Sequence, residues 1–289
     1  MTTRDKLYII DISGFIHRSY HVHKDLMTSK GMPTGAIYGT LGLLCKFISE
    51  NRPVNLAICY DAQDGNSVRR DLYPQYKANR VRVNAVSAQE LIIRKIISLL
   101  DIYSVAISGY EADDLIATVA DKFKGELDVV ILTGDKDMLQ LIDKDVSVID
   151  PMKNVVYDEN TAFEKFGVKP SQISDYLALV GDKADNIPGV TGIGPRAAQD
   201  LLSCYAGVDE IMYRMNDVSD KYRDKLNKNI DNLKVSKQLA DLVRLNIEVP
   251  RDDLKMLPKY KPELDELLTK LEFSVGFKDK VRRVVKLYE

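Results

Sequence analysis

A mostly parallel α/β sheet flanked by helices, followed by an all-helical second part, is the fold class this 289-residue sequence predicts. Three observations point there. Short β-branched or aliphatic runs alternate with segments of helical period up to about residue 165, which implies parallel strands with helices on both faces. After "EKFGVKPSQI" the strand-like runs stop. The remainder reads as helical, broken by the Gly/Pro-rich turn "NIPGVTGIGPRAA" (186–198).

The elements follow in order. Strands are predicted at "KLYIID" (6–11), "NLAICYD" (55–61), "YSVAI" (103–107), "DVVILTGD" (128–135) and "VSVID" (146–150). Helices are predicted over Gly35–Ile48, Ser87–Leu100, Ala112–Phe123 and Lys136–Ile142. In the third of these, Leu115, Ile116, Val119, Ala120 and Phe123 recur at a spacing that an alternating strand does not produce. A boundary near 165–170 divides residues 1–168 from residues 169–289. The last forty residues read as a charged connector and two short helices, and there is no internal repeat.

Composition narrows the class. The chain is 45% hydrophobic and 29% charged, an ordinary globular balance. No stretch approaches the roughly 18 apolar residues of a membrane span. The apolar run Leu7–Ile10 is short and ends in Asp11, so it does not read as a signal peptide. Cys45, Cys59 and Cys204 are unpatterned among apolar neighbours and read as reduced core thiols of a cytoplasmic protein. The net charge of −2 hides local segregation: Arg69–Arg82 carries five basic residues against Asp71, and Lys221–Lys237 is rich in lysine.

The acids show a pattern. Asp11 and Asp61 end the first two strands, and Glu111, Asp113 and Asp114 lie between the third strand and its helix. Asp135 and Asp137 follow the fourth strand. In a parallel sheet these points share the carboxyl edge, where open α/β folds bind ligands. Asp182 and Asp185, from the helical part, would close the site from outside. Each acid alone is ordinary helix-start or turn chemistry, worth ~0.3–1 kcal/mol at a helix N-terminus. Gathered together, they would repel by several kcal/mol at intermediate dielectric. Divalent cations resolve this. The donors are all hard oxygens, which suits Mg²⁺ or Mn²⁺. Two ions about 3.5–4 Å apart would suit phosphodiester hydrolysis. His17, His21 and His23 lack a partner motif for zinc.

Two segments could bring a phosphate to such ions. "SVRRDLYPQYKANRVRV" (67–83) interleaves Arg69, Arg70, Lys77, Arg80 and Arg82 with Tyr73 and Tyr76. Cations pair with backbone phosphates, and aromatic faces accept unstacked bases. In "GVTGIGPRAAQDLL" (189–202), Gly192 and Gly194 permit a tight turn whose amides could approach a phosphate, with Arg196 in the next turn. That turn resembles a helix–hairpin–helix element, which binds duplex backbone without reading sequence.

The ordered motifs "YDA", "YKANR", "GYEADDLIATVA", "TGDKDMLQLI" and "GDKADNIPGVTGIGPRAA" carry a family resemblance, joined by "RSYH" and "PTGAIYG" (33–39). They resemble the 5′ nuclease family, most of all the 5′→3′ exonuclease domain of bacterial DNA polymerase I, with flap endonucleases as wider relatives. The resemblance spans nearly the whole chain. It implies a PIN-like nuclease domain over 1–168 with a helical arch near 69–95. A helix–three-turn–helix DNA-binding part follows over 169–289. It implies that Asp11, Asp61, Glu111, Asp113, Asp114, Asp135, Asp137, Asp182 and Asp185 are the metal-site acids. Lys77 and Arg80 match arch cations that meet the scissile phosphate. Arg18 and Tyr20 match positions near the terminal nucleotide, and Arg69, Arg70, Tyr76, Gly192, Gly194 and Arg196 complete the expected DNA contacts. Val190 and Ile193 are the corresponding candidates for carbonyls that hold K⁺ in relatives.

The implied activity is Mg²⁺-dependent 5′→3′ exonuclease and 5′-flap endonuclease action in DNA replication and repair. A monomer acting on duplex DNA is expected, with a DNA polymerase domain or protein as a partner. Two departures stand out. "DISGF" follows the first acid where relatives place glycine sooner, and Lys183 and Ala184 in "GDKADN" replace small hydroxyl residues. The competing readings are a PIN-type endoribonuclease and a non-catalytic duplex DNA-binding module. A HAD-type phosphatase is disfavoured, because Asp11 does not begin a D-x-D pair.

Overall fold

The sheet has six strands in the order β3-β2-β1-β4-β5-β6: β1 Lys6–Asp11, β2 Asn55–Cys59, β3 Ser104–Val105, β4 Asp128–Leu132, β5 Val146–Asp150 and β6 Val155–Tyr157. The computed structural model describes residues 4–80 and 83–289, so the predicted phosphate contact Arg82 lies outside the described residues. All neighbouring strands run parallel except β6, which returns antiparallel along β5. The central strands are covered on both faces, which is why "LYII" and "NLAIC" are nearly continuous apolar runs.

Helices α1 (Ile12–Val22), α2 (Gly35–Asn51) and α4 (Asn84–Leu99) cover one face, with Ile12, Ile37, Leu41, Ile93 and Ile97 in its core. On the other face lies α5 (Ala112–Phe123), whose Leu115, Ile116, Val119 and Phe123 point inward at the predicted spacing. The helical part, comprising α7 (Ile173–Val180), α8 (Pro195–Cys204), α9 (Val208–Tyr213), α10 (Asp220–Lys228) and α11 (Ile230–Ala240), continues that second core. Short α3 (Ser67–Leu72) and α6 (Glu159–Phe166) complete the α/β part.

Several expectations change. The second and fourth strands end at Cys59 and Leu132, not at Asp61 and Asp135, because those acids turn away into hydrogen-bonded loops. The third strand shrinks to Ser104–Val105 at the sheet edge. Lys136–Leu141 is a 3₁₀ helix. α1 was not predicted, and it begins directly after Asp11, whose side chain accepts from the Ser13 amide at its N-terminus. Cys45 and Cys59 are buried, but Cys204 is exposed at the end of α8 and is not a core thiol.

The C-terminal helices do not extend the helical part. After α11 the chain runs back along the α/β part, where the Val243 amide donates to Asp114 Oδ1 (2.9 Å) and the Met256 amide to the Val54 carbonyl (2.8 Å). Helices α12 (Pro262–Lys270) and α13 (Val275–Lys286) then pack Leu264, Leu268, Phe277 and Val281 onto the core shared by α2 and α4. Among the described residues, no helix is long and apolar enough to cross a membrane.

Candidate active site

The parallel register sets the first acids level with one another. Asp11 pairs with Cys59, and Ile10 with Leu132, so the chain leaves all three central strands at one edge. Two hydroxyls that the sequence reading missed then fix the carboxylates. Thr133 Oγ1 donates to Asp11 Oδ2 (2.8 Å), and Ser13 Oγ donates to Asp61 Oδ2 (2.9 Å). The Ala112 amide at the start of α5 donates to the other Asp61 oxygen (2.9 Å). The third strand end and its helix are thereby tied to the second. "TGD" and "DISG" carried that signal, since each puts a hydroxyl within two residues of a site acid.

The electrostatics show that these groups share one field. Burial pushes Asp11 up to about 7, and the neighbouring Asp61 and Asp135 charges push the same way. Asp113 is raised well above the usual carboxylate range by burial and by Asp135, with Lys77 opposing. Burial and Asp135 likewise raise Asp137 to about 7, with Asp182 and Asp185 adding to the effect. Asp137 Oδ1 is buried without any hydrogen-bond partner. An orphaned carboxylate oxygen among mutually repelling acids is costly unless a cation meets it.

Protein cations already reach part of the group. Lys77, with φ of 50° and 7% exposure, donates to Glu111 and stands 3.5 Å from Asp185 Oδ2. Burial works against its charge, but Glu111 more than compensates and holds the ammonium protonated. Arg80 donates to Asp185. Lys136 Nζ donates to Asp182 Oδ2 (2.8 Å), and although burial opposes it, this contact holds Asp182 below the usual range. Among the described residues, no three acidic, histidine or cysteine side chains stand close enough to form a ready-made metal cage. The donor set is nonetheless purely carboxylate, and it fits a hard divalent ion once Lys77 and Lys136 yield their partners.

Three expected roles are contradicted by this geometry. Asp114 is fully buried, with Arg69 Nη1 and Nη2 donating to its two oxygens at 2.7 Å. The Val243 and Glu111 amides take its remaining lone pairs (2.9 and 3.2 Å), so nothing is left for a metal. Arg69 is 6% exposed and spends its donors on Asp114, Glu111 and the Leu239 and Asp241 carbonyls, so it cannot reach a DNA phosphate. Tyr76 is buried and donates to Glu111 Oε2 (2.9 Å), so its ring offers no stacking face. Arg18, Arg70, Arg80 and Arg196 are exposed, and Tyr20 is half-buried on α1.

Of the expected arch, residues 69–72 lie in α3 and residues 84–95 in α4, while residues 74–79 are a run of turns laid on the 182–187 loop. The Lys77 amide donates to the Asp185 carbonyl (3.0 Å), Asn79 Nδ2 to the Lys183 carbonyl (3.2 Å), and Asn186 Nδ2 to the Gln75 carbonyl (3.0 Å). These contacts carry Asp182 and Asp185 to the acid edge. Arg94, also missed, stacks over Tyr60 (4.3 Å to the ring centroid) and donates to the Asp61 carbonyl.

The glycine turn is shaped by its backbone. Gly189 has φ of 66°, and a Cβ there would stand 2.5 Å from the Gly181 amide nitrogen. Gly192 has φ of 85°, while Gly194 opens to free space ahead of Pro195 at the start of α8. The side chains of Val190 and Ile193 are buried.

Two family models match in tandem: "5′-3′ exonuclease, N-terminal resolvase-like domain" over residues 6–167, and "5′-3′ exonuclease, C-terminal SAM fold" over residues 168–262. This chain belongs to the 5′-3′ exonuclease family. Family membership makes it a nuclease. It is 38% identical to a 5′-3′ exonuclease of Aquifex aeolicus, spanning 98% of this chain and 96% of that one. It is also 38% identical to a DNA polymerase I of Caldicellulosiruptor bescii over 93% of this chain, but spans only 33% of the polymerase's length. The fold of this exonuclease-family chain matches that of T5 5′-exonuclease with zinc bound, at a TM-score of 0.69 and 19% identity. That match covers 98% of this chain and 100% of the other.

Proposed function

We propose that this chain hydrolyses DNA as a Mg²⁺-dependent 5′→3′ exonuclease and 5′-flap endonuclease, leaving 5′-phosphate and 3′-hydroxyl ends. The observation that carries the reading is the joint elevation of Asp11, Asp113 and Asp137 at one sheet edge, with Asp137 Oδ1 left without a partner. Asp11, Asp61, Asp113, Asp135 and Asp137, with Glu111, Asp182 and Asp185 around them, would hold two Mg²⁺ ions, for which Mn²⁺ can substitute. Bound there, divalent ions supply water activation and charge neutralisation for phosphodiester hydrolysis.

The chain's own groups do the remaining work. Ser13 and Thr133 orient two carboxylates. Lys77 and Arg80, paired with Glu111 and Asp185 in the free protein, would exchange those partners for the scissile phosphate. Arg18 and Tyr20 on α1, together with Arg70, would guide the 5′ end. The turn at Gly192, Gly194 and Arg196 would hold the duplex. For potassium, the implied ligands are the Val190 and Ile193 carbonyls, beside which the turn carries an ammonium of its own, Lys225, on the Gly192 carbonyl. We propose a cytoplasmic monomer working beside a DNA polymerase, because the polymerase I relatives join a matching segment to a chain about three times as long.

The test is a labelled 5′-flap duplex incubated with Mg²⁺ or with EDTA. Cleavage at the flap base and at 5′ ends that EDTA abolishes is the expected result. An intact flap, alongside cleavage of single-stranded RNA, would replace this reading with the ribonuclease one.

A further inference from the structure

The glycine turn presents backbone outward and side chains inward. Val190 and Ile193 are 3% and 4% exposed, and the Ile193 amide donates to the Val190 carbonyl (2.9 Å). Between them the Gly192 carbonyl accepts from Lys225 Nζ of α10, also at 2.9 Å. The lysine stem crosses directly over Gly192: Cδ and Cε lie 3.3 and 3.4 Å from where a Cβ would stand. Glycine at 192 therefore serves both the left-handed turn and the approach of Lys225.

The potassium ion that the family resemblance implies does not fit this arrangement. A full positive charge already rests on a carbonyl of the same turn, and the Val190 carbonyl has given one lone pair to Ile193. A second monovalent cation among these oxygens would face the ammonium at short range. We infer that the Lys225 ammonium is the resident monovalent cation of the glycine turn, and that it offers its remaining N–H donors to a phosphate of duplex DNA. An ammonium carries three donors on a compact charge. One is spent on Gly192 and two remain. Gly194, open to solvent, and exposed Arg196 lie on the same short turn. The inference rests on the duplex-binding reading above.

The experiment is fluorescence anisotropy of a labelled 5′-flap duplex with the full chain in EDTA. It is run in potassium, sodium or tetramethylammonium chloride at equal ionic strength. Wild-type affinity should agree within about two-fold across the three salts, because the phosphate contact needs no specific ion. Lys225→Met, which keeps the stem, should bind about ten-fold more weakly in tetramethylammonium and show a salt slope lower by about one. Lys225→Arg should restore most of the affinity, which a merely structural role for the stem would not explain. A wild-type protein that binds about five-fold tighter in potassium alone would overturn the inference, since counterion release does not distinguish these ions so strongly. So would a Lys225→Met variant matching wild type in both affinity and slope. A wild-type protein that binds no duplex in any salt would overturn the duplex reading itself, a result separable from both.

Discussion

The acid edge and the glycine turn meet the same physical problem, a concentration of polar groups, in opposite ways. At the edge the groups are side chains, and their charges oppose folding: burial and mutual repulsion raise Asp11 and Asp137 to about 7. At the turn the polar groups are backbone, the side chains of Val190 and Ile193 are core, and an internal ammonium sits on the carbonyl between them. The edge is built to be completed by an outside cation. The turn carries its own. Function at the edge depends on which acids are left unsatisfied, whereas function at the turn depends on where glycine lets the chain go.

The sharpest break of this comparison lies between two adjacent residues. Asp113 faces the charges of Asp135, Glu111 and Asp11, whereas Asp114 is held by Arg69, although both open α5. Asp113→Ala should cut flap cleavage by at least about 10²-fold, the scale for losing a charge-stabilising group, and leave duplex binding within a few-fold. Retained cleavage would remove Asp113 from the chemistry.

Arg69→Met should instead act on stability. It strands the buried Asp114 carboxylate, at a cost of about 3–5 kcal/mol, seen as a lower midpoint in urea. If the variant unfolds like wild type but loses flap affinity, Arg69 is a DNA contact after all. On the turn side, Gly189→Ala should cost about 1–3 kcal/mol, because a side chain at positive φ is strained and its Cβ meets the Gly181 backbone. Thermal melts check it, and an unchanged Tm would show that the turn is not constrained as described.

At the edge, pH and metal act together. Asp11 and Asp137 bind protons more tightly folded than unfolded, so the native state holds the extra protons between about pH 4 and 7. Stability of the metal-free protein should therefore fall as pH rises through that window and level off above it. Mg²⁺ added at pH 8 should raise Tm by about 2–4 °C, the shift expected for roughly 1 kcal/mol of linkage in a chain of this size. The same addition at pH 5 should do less. A metal-free protein that becomes more stable between pH 5 and 8 would contradict the shared-field description of the edge.

Much of this molecule was determined by sequence alone. β1, β5 and α5 have the predicted bounds, because an apolar run, a two-residue alternation and a 3.6-residue period are local signals. The gathering of acids at one edge followed from parallel topology, which strand–helix alternation already implies. Tertiary structure decided the rest. Whether a carboxylate meets an arginine or nothing depends on chain segments far away: Asp114 is satisfied by Arg69 and Val243, forty-five and 129 positions distant. The same holds for the return of α12 and α13 to the first core and for Lys225 reaching Gly192. Spacing along the chain says which residues share an edge, but hydrogen-bond saturation is settled only when distant segments close over them.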